Sequence, residues 1–248
     1  MVVGSSLDKI FMVMEFFDTD VKSLVGKMKK KGEQMGTAEV KCLMKQLLQA
    51  IDHLHAKWYI HRDLKTSNLL YNSEGKLAVC DFGLARRFED PIRHYTTNVV
   101  TLWYRCPELL LGIREYAANV DMWSVGCIMG ELLLGEPLLP GKGEVDQISK
   151  IFHLLGAPTE ERWPGFKSLP GGKNLKIKAN APSRLRGKFP VTSFSGGPYL
   201  SRAGFELLSG LLEYDPGKRM NSNQALEHAW FEENPLPRNL KDMPRPPK

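Results

Sequence analysis

Residues 59–70 read YIHRDLKTSNLL, and thirteen residues beyond Asn68 the chain reads Asp81-Phe82-Gly83. Asp63 has Arg62 before it, Lys65 two residues on and Asn68 five residues on. One carboxylate can orient a hydroxyl and accept its proton. A second carboxylate and an amide oxygen can hold Mg2+ on phosphates, and a lysine can neutralise a phosphoryl group in transit. These are the parts phosphoryl transfer requires, because its catalysis is mostly positioning and electrostatics.

The flanking patterns place this stretch on a loop. Before it, Val40, Leu43, Met44, Leu47, Leu48, Ile51 and Leu54 recur every three or four residues. That spacing predicts an amphipathic helix with Thr37 as N-cap. After it, Asn68–Tyr71 and Lys76–Cys80 read as short strands around the turn Asn72-Ser73-Glu74-Gly75. Upstream, VVGSSLDKIFMVMEFF reads as two strands around Gly4-Ser5-Ser6, the second running from Ile10 to Glu15. Downstream, 81–118 reads as a long ordered loop. Asp121–Leu134 is apolar on nearly every side, the pattern of a buried central helix. Helical signal returns at 144–155, 204–213 and 223–230. Between them, 164–200 reads as an irregular insert rich in Gly, Pro, Lys and Ser, and residues 232–248 as a Pro-rich tail without regular structure.

Composition narrows the class. The 248 residues are 42% hydrophobic and 25% charged, ordinary for a soluble domain able to bury a core. The net charge of +6 reads first as a solvated basic surface and otherwise favours acidic or phosphorylated partners; it is too mild to point to nucleic acid. Cys42, Cys80, Cys106 and Cys127 form no CxxC and have no histidine cluster beside them, which argues against a zinc site or disulfide framework and for a reducing compartment. No apolar run approaches a membrane span and MVVGSSLDK is no signal peptide, so a soluble intracellular protein is expected. The lone His153 and His228 read as core or surface residues.

HRDLKTSN followed by DFG resembles, residue for residue, the catalytic and magnesium loops of protein kinases. VVTLWYR at 99–105 and LGAPTEERWPG at 155–165 resemble the cyclin-dependent kinases. HRDLKTSNLL and PLLPGKGEVDQISKIFHLLG resemble most closely the PITSLRE branch with its plant G-type members. The resemblance covers essentially the whole chain. It implies an α+β protein-kinase fold, mainly the helical C-terminal lobe, with a remnant two-strand hairpin of the N-lobe over residues 1–17 and the C-lobe over 18–231. It implies a catalytic loop at 61–68 and an activation segment at 81–108. That segment closes with Cys106-Pro107-Glu108, where the family usually has Ala-Pro-Glu.

The resemblance also assigns roles. Asp63 would be the base, Lys65 the phosphate contact, and Asn68 and Asp81 the Mg2+ ligands. Thr101 would support Asp63 and Lys65, and His61 would pack and shape the loop. For ATP, Met14 would be the gatekeeper and Glu15 and Phe17 would offer backbone to adenine. Asp20 would meet the ribose, Leu70 form the floor, and Cys80 either line the pocket or be a small buried residue. Val100 and Arg105 would form a pocket for the proline of Ser/Thr-Pro substrates. Thr96 would be the activating phosphosite, with Thr97 as its rival, served by Arg62 and Arg86. Glu108 would pair with Arg219, and Asp121 would brace the catalytic loop. The implied partners are a cyclin, Ser/Thr-Pro protein substrates and a kinase acting on Thr96, without direct nucleic-acid or membrane contact. The implied setting is the nucleus, in transcription, RNA processing or cell-cycle control. Lys27, Lys29, Lys30 and Lys31 read as a solvated helix face or as part of a nuclear address.

One departure from the family stands out. Residues 1–60 hold no GxGxxG and no lysine in a Val-Ala-Ile-Lys setting, the features that cover and grip the nucleotide phosphates. Two expectations follow. The chain is either a fragment of a proline-directed kinase whose missing lobe is encoded upstream, or a short product without useful turnover that binds partners through its C-lobe. The retained HRD, DFG and Asn68 favour the first.

Overall fold

The computed structural model describes residues 2–6, 9–87, 102–114, 116–174, 182–192 and 199–246, the first twelve by backbone alone. In chain order the strands are β1 (Val2–Ser6), β2 (Lys9–Met12), β3 (Thr19–Asp20), β4 (Tyr59–Ile60), β5 (Leu69–Tyr71), β6 (Leu77–Val79) and β7 (Arg86–Arg87). The α-helices are α1 (Val21–Lys30), α2 (Thr37–Ala56), α3 (Pro107–Leu110), α4 (Asn119–Leu134), α5 (Glu144–Leu155), α6 (Leu185–Lys188), α7 (Arg202–Leu211) and α8 (Ser222–Leu226).

α4 is the centre. Every residue from Val120 to Leu133 is buried, and α2 and α7 pack directly on it. Two glycines allow the close approach. A Cβ on Gly126 would come within 2.9 Å of Leu212, and one on Gly130 within 2.7 Å of Leu138. α2 lays its apolar stripe, Val40, Leu43, Met44, Leu47, Leu48 and Ile51, against α4, α8 and β6. The cap of α2 differs from expectation. Val40 N–H donates to Gly36 O, so the ladder opens at Gly36, and Thr37 is the first helical residue rather than the N-cap.

Among the described residues β1 and β2 pair only with each other, Val2 opposite Met12 and Gly4 opposite Ile10. Gly4, Ser5 and Ser6, expected in the turn, belong to β1, where the register shifts between Gly4 and Ser6. A bulge of this kind accommodates an extra residue at the cost of a ladder position. β2 ends at Met12 rather than Glu15, and residues 13–17 leave the ladder. β3, β5 and β6 form an antiparallel sheet with β5 in the middle, and β4 pairs with β7.

The stretches read as irregular contain short ordered pieces. The 81–118 region holds 3-10 turns at Phe82–Leu84 and Leu102–Tyr104, with β7 and α3. The 164–200 region holds 3-10 turns at Phe166–Ser168 and Gly172–Asn174, with α6. Trp163 stacks on Tyr214 at 5.7 Å, which pins the start of that region to the core. Among the described residues the Pro-rich tail has a single 3-10 turn, Leu240–Asp242, yet it is packed against the fold. The fully buried Lys41 of α2 donates to Glu233 O at 2.7 Å and Pro235 O at 2.8 Å. Arg238 N–H donates to Ala38 O, and its side chain meets Glu39 at 3.1 Å. Met243 is buried, and Tyr71 of β5 donates its hydroxyl to Pro244 O at 2.6 Å. Among the described residues no helix is long and apolar enough to cross a membrane.

Candidate active site

The loop between β4 and β5 is held from below by α4. Asp121, fully buried near the start of α4, accepts the backbone N–H of His61 and of Arg62, each at 2.8 Å. Its Oδ2 also meets His55 Nε2 at 2.9 Å. Arg62 consequently sits at φ 69°, a backbone state that costs a non-glycine residue energy and persists only where its surroundings enforce it. His61 packs and shapes the loop, as the resemblance implied. Its Nδ1 accepts Asp63 N–H at 3.3 Å, so its proton lies on Nε2, which faces Cys80 O at 3.0 Å. Its ring lies 5.1 Å from that of Phe82. One imidazole thus joins the HRD and DFG stretches.

Asp63 projects from this braced loop. Its Oδ2 accepts Lys65 Nζ at 2.7 Å and Asn68 Nδ2 at 3.1 Å, and Asn68 Nδ2 also donates to Asp63 O at 2.8 Å. Two partners on one oxygen leave Oδ1 without a hydrogen bond among the described residues. With Asn68 Nδ2 occupied, its amide oxygen is the acceptor left over. Cys80 N–H donates to Asn68 O at 2.9 Å, which brings Asp81 alongside. Asp81 is exposed at φ 63°, with one carboxylate oxygen accepting Gly83 N–H at 3.3 Å. An amide oxygen and a carboxylate suit Mg2+, which takes one or two protein oxygens and completes its shell with phosphate and water. No group of three His, Cys, Asp or Glu side chains among the described residues could hold a metal without such help.

Of the residues expected at the nucleotide, Asp20 and Leu70 lie in one sheet. Leu70 sits in the middle strand, opposite Asp20 and Ala78. Asp20 is also the N-cap of α1, accepting Ser23 N–H at 2.8 Å and Ser23 Oγ at 2.6 Å. The spacing Asp-x-x-Ser carries that capping signal. Cys80 is half-buried, and burial, reinforced by Asp81, raises its thiol pKa. Phe17 is half-buried, whereas Met14 is 72% and Phe16 81% exposed.

Glu108 and Arg219 form a buried two-pronged pair at 2.6 and 3.0 Å, as expected. Arg105 lies 3.5 Å from Glu144 at the start of α5. Arg62 donates to Leu84 O at 2.5 Å and to the Tyr116 hydroxyl at 2.8 Å, and Arg86 to Ala85 O at 2.9 Å. Thr96, Thr97, Val100 and Thr101 lie outside the described residues. His153 accepts from Arg184 and His228 caps the turn at Ala229–Phe231, both structural tasks.

Two contacts here escape a reading of the sequence alone. Gln147 is fully buried, accepts Gly141 N–H at 3.0 Å and holds the start of α5 beside Trp103. Glu131, on the most buried helix, meets Thr66 and Tyr104. The signal for Glu131 was present: a charge on a helix apolar all round must find partners.

The protein kinase domain description matches residues 3–231. The chain belongs to the protein kinase family. Within it the chain falls in the cyclin-dependent branch. Cyclin-dependent kinase G-2 of Oryza sativa subsp. indica is 56% identical over 243 residues, 98% of this chain and 34% of that protein. The chain therefore spans about a third of that relative's length. Among solved structures, the yeast RNA Pol II CTD kinase CTDK-1 complex matches with a TM-score of 0.86 and 34% identity, covering 97% of this chain and 76% of that one. The CAK complex of Chaetomium thermophilum bound to ATP-γ-S matches at 0.86 and 36%, covering 98% and 74%.

Proposed function

We propose that this chain carries the catalytic lobe of an ATP-dependent serine/threonine kinase of the cyclin-dependent type, which moves the γ-phosphate of ATP to hydroxyls of Ser/Thr-Pro sites. The observation that carries the reading is Asp63, clasped on one oxygen by Lys65 and Asn68, with no hydrogen bond on the other among the described residues. Asp63 orients the substrate hydroxyl and accepts its proton at Oδ1. Lys65, held beside it, lends positive charge to the phosphoryl group in transit. Asn68 and Asp81 are the residues that would hold Mg2+, which when bound supplies positive charge next to the phosphates. Thr101 supports Asp63 and Lys65.

Leu70 floors the adenine, Glu15 and Phe17 offer it backbone, Met14 flanks it, Cys80 lines the pocket and Asp20 reaches the ribose. Val100 and Arg105 seat the proline that follows the target residue. Phosphate on Thr96, added by another kinase, would gain charge-assisted bonds from Arg62 and Arg86. A cyclin is the partner, and transcription in the nucleus the setting; the likeness to a CTD kinase supports that choice. The solved relative bound to ATP-γ-S supports the nucleotide.

One observation favours a second reading, a binding protein without turnover: Met14 and Phe16 stand largely in solvent. Thermal unfolding of the 248-residue chain with Mg-ATP decides between them. A Mg2+-dependent rise in Tm, lost in Asp81→Ala, followed by transfer to a Ser-Pro but not a Ser-Ala peptide with cyclin added, is the expected result. No rise in a cooperatively folded chain leaves the binding reading.

A further inference from the structure

Thr66 immediately follows Lys65 and opens the 3-10 turn Thr66–Asn68, so it sits on the same turn as both side chains that clasp Asp63. It is fully buried. Its Oγ1 lies 2.9 Å from Glu131 Oε1 and 3.0 Å from Tyr104 Oη. Tyr104 Oη lies 2.6 Å from Glu131 Oε2. Tyr104 closes the 3-10 turn Leu102–Tyr104, immediately before Arg105, and its own carbonyl accepts Ser124 Oγ at 2.9 Å. Three oxygen-bearing groups from three distant stretches therefore meet in a triangle within the core.

A carboxyl in such a place needs a reason. Glu131 is 3% exposed on a helix lined mostly by apolar side chains, and it forms no salt bridge among the described residues. An apolar residue of similar volume would usually serve stability as well or better. Glu131 takes no part in the set around Asp63. What it does is join: the catalytic turn lies on one side of it and the substrate-facing segment on the other. Both hydroxyls donate to the carboxyl, Thr66 Oγ1 to Oε1 and Tyr104 Oη to Oε2. Burial raises the pKa of Glu131, and these two bonds oppose the rise.

We infer that Thr66 is a positioning residue, whose hydroxyl fastens the turn bearing Lys65 and Asn68, through Glu131, to the Tyr104–Arg105 wall of the substrate cleft. The inference rests on the kinase reading for its consequence in turnover, but not for the joint itself. Without the hydroxyl, the turn keeps its backbone bond from Asn68 N–H to Lys65 O but loses its tie to the far wall.

The test compares wild type, Thr66→Val, Thr66→Ser and Tyr104→Phe in the full chain. Val preserves shape and removes the hydroxyl, and Ser restores it. Amide hydrogen exchange is read at Asn68 and at Arg105, whose N–H donates to Leu102 O. Loss of one such buried bond should speed exchange roughly tenfold at both sites in Thr66→Val and in Tyr104→Phe, with Thr66→Ser near wild type. Where the chain with added cyclin transfers phosphate, Thr66→Val should lower kcat by about tenfold while KM for ATP stays put, and Ser should restore it. Faster exchange confined to one of the two segments, or failure of Ser to restore, overturns the inference. A wild type with no transfer sinks the kinase reading, and the exchange result still decides the joint.

Discussion

Arg219 carries a full charge into the interior because five acceptors meet it there. These are both oxygens of Glu108 and the carbonyls of Glu213, Asn119 and Tyr214. Burial alone would lower its pKa, but Glu108 more than offsets this, so the guanidinium stays charged. The pair ties α3 to the stretch before α8. Removing one member strands the other. Glu108→Leu should therefore cost about 3–5 kcal/mol, read from urea unfolding, while Glu108→Leu with Arg219→Met should recover part of the loss. A double variant no more stable than the single one would show that the carbonyl bonds, not the ion pair, hold Arg219.

At the scale of elements, α4 decides how closely its neighbours approach, and its glycines are the means. A methyl at Gly126 would come within 2.9 Å of Leu212 Cδ2 and 3.0 Å of Leu211 Cβ at the end of α7; the Leu212 tip can swing aside, but Leu211 Cβ is fixed to the backbone. Gly126→Ala should lower stability by about 1–3 kcal/mol despite alanine's better helix propensity, and differential scanning calorimetry would register the drop in Tm. Gly26, on α1, meets nothing within 4 Å, and Gly26→Ala should be neutral or stabilising in the same measurement.

The long helices were legible because burial imposes a period: α2 and α4 were readable from Val40–Leu54 and Asp121–Leu134 to within a few residues. The two-residue strands β3, β4 and β7 were not, because each exists only through its partner. The cap of α2 was misread for a similar reason, since Thr37 and Gly36 both satisfy the local rules. The turn bearing Asp63, Lys65 and Asn68 could be read from HRDLKTSN because its partners are five residues apart or fewer. The Thr66–Glu131 contact spans 65 positions and leaves no local trace.

For the whole molecule, the boundary of the fold is not the boundary of the family match. The match stops at residue 231, but Lys41 finds both its carbonyl acceptors beyond it, at Glu233 and Pro235. Its pKa is lowered by burial, so loss of those acceptors leaves an unsolvated ammonium beside the Trp230 ring, 5.3 Å away. A chain ended at Phe231 should melt well below the full chain, by at least the 1–3 kcal/mol that orphaning a buried donor costs, and circular dichroism on heating would show it. An unchanged melting curve would mean that solvent reaches Lys41 once the tail is gone.

The hydroxyl of Tyr71 on Pro244 O carries this further, because Tyr71 neighbours Leu70 in β5. An affinity tag, a fluorescent reporter or a surface linker fused behind Lys248 would pull on a cord knotted to the proposed adenine floor. If the proposed adenine floor is right, a grip on the carboxyl end reaches the nucleotide, and an assay that holds the chain there perturbs what it is meant to observe.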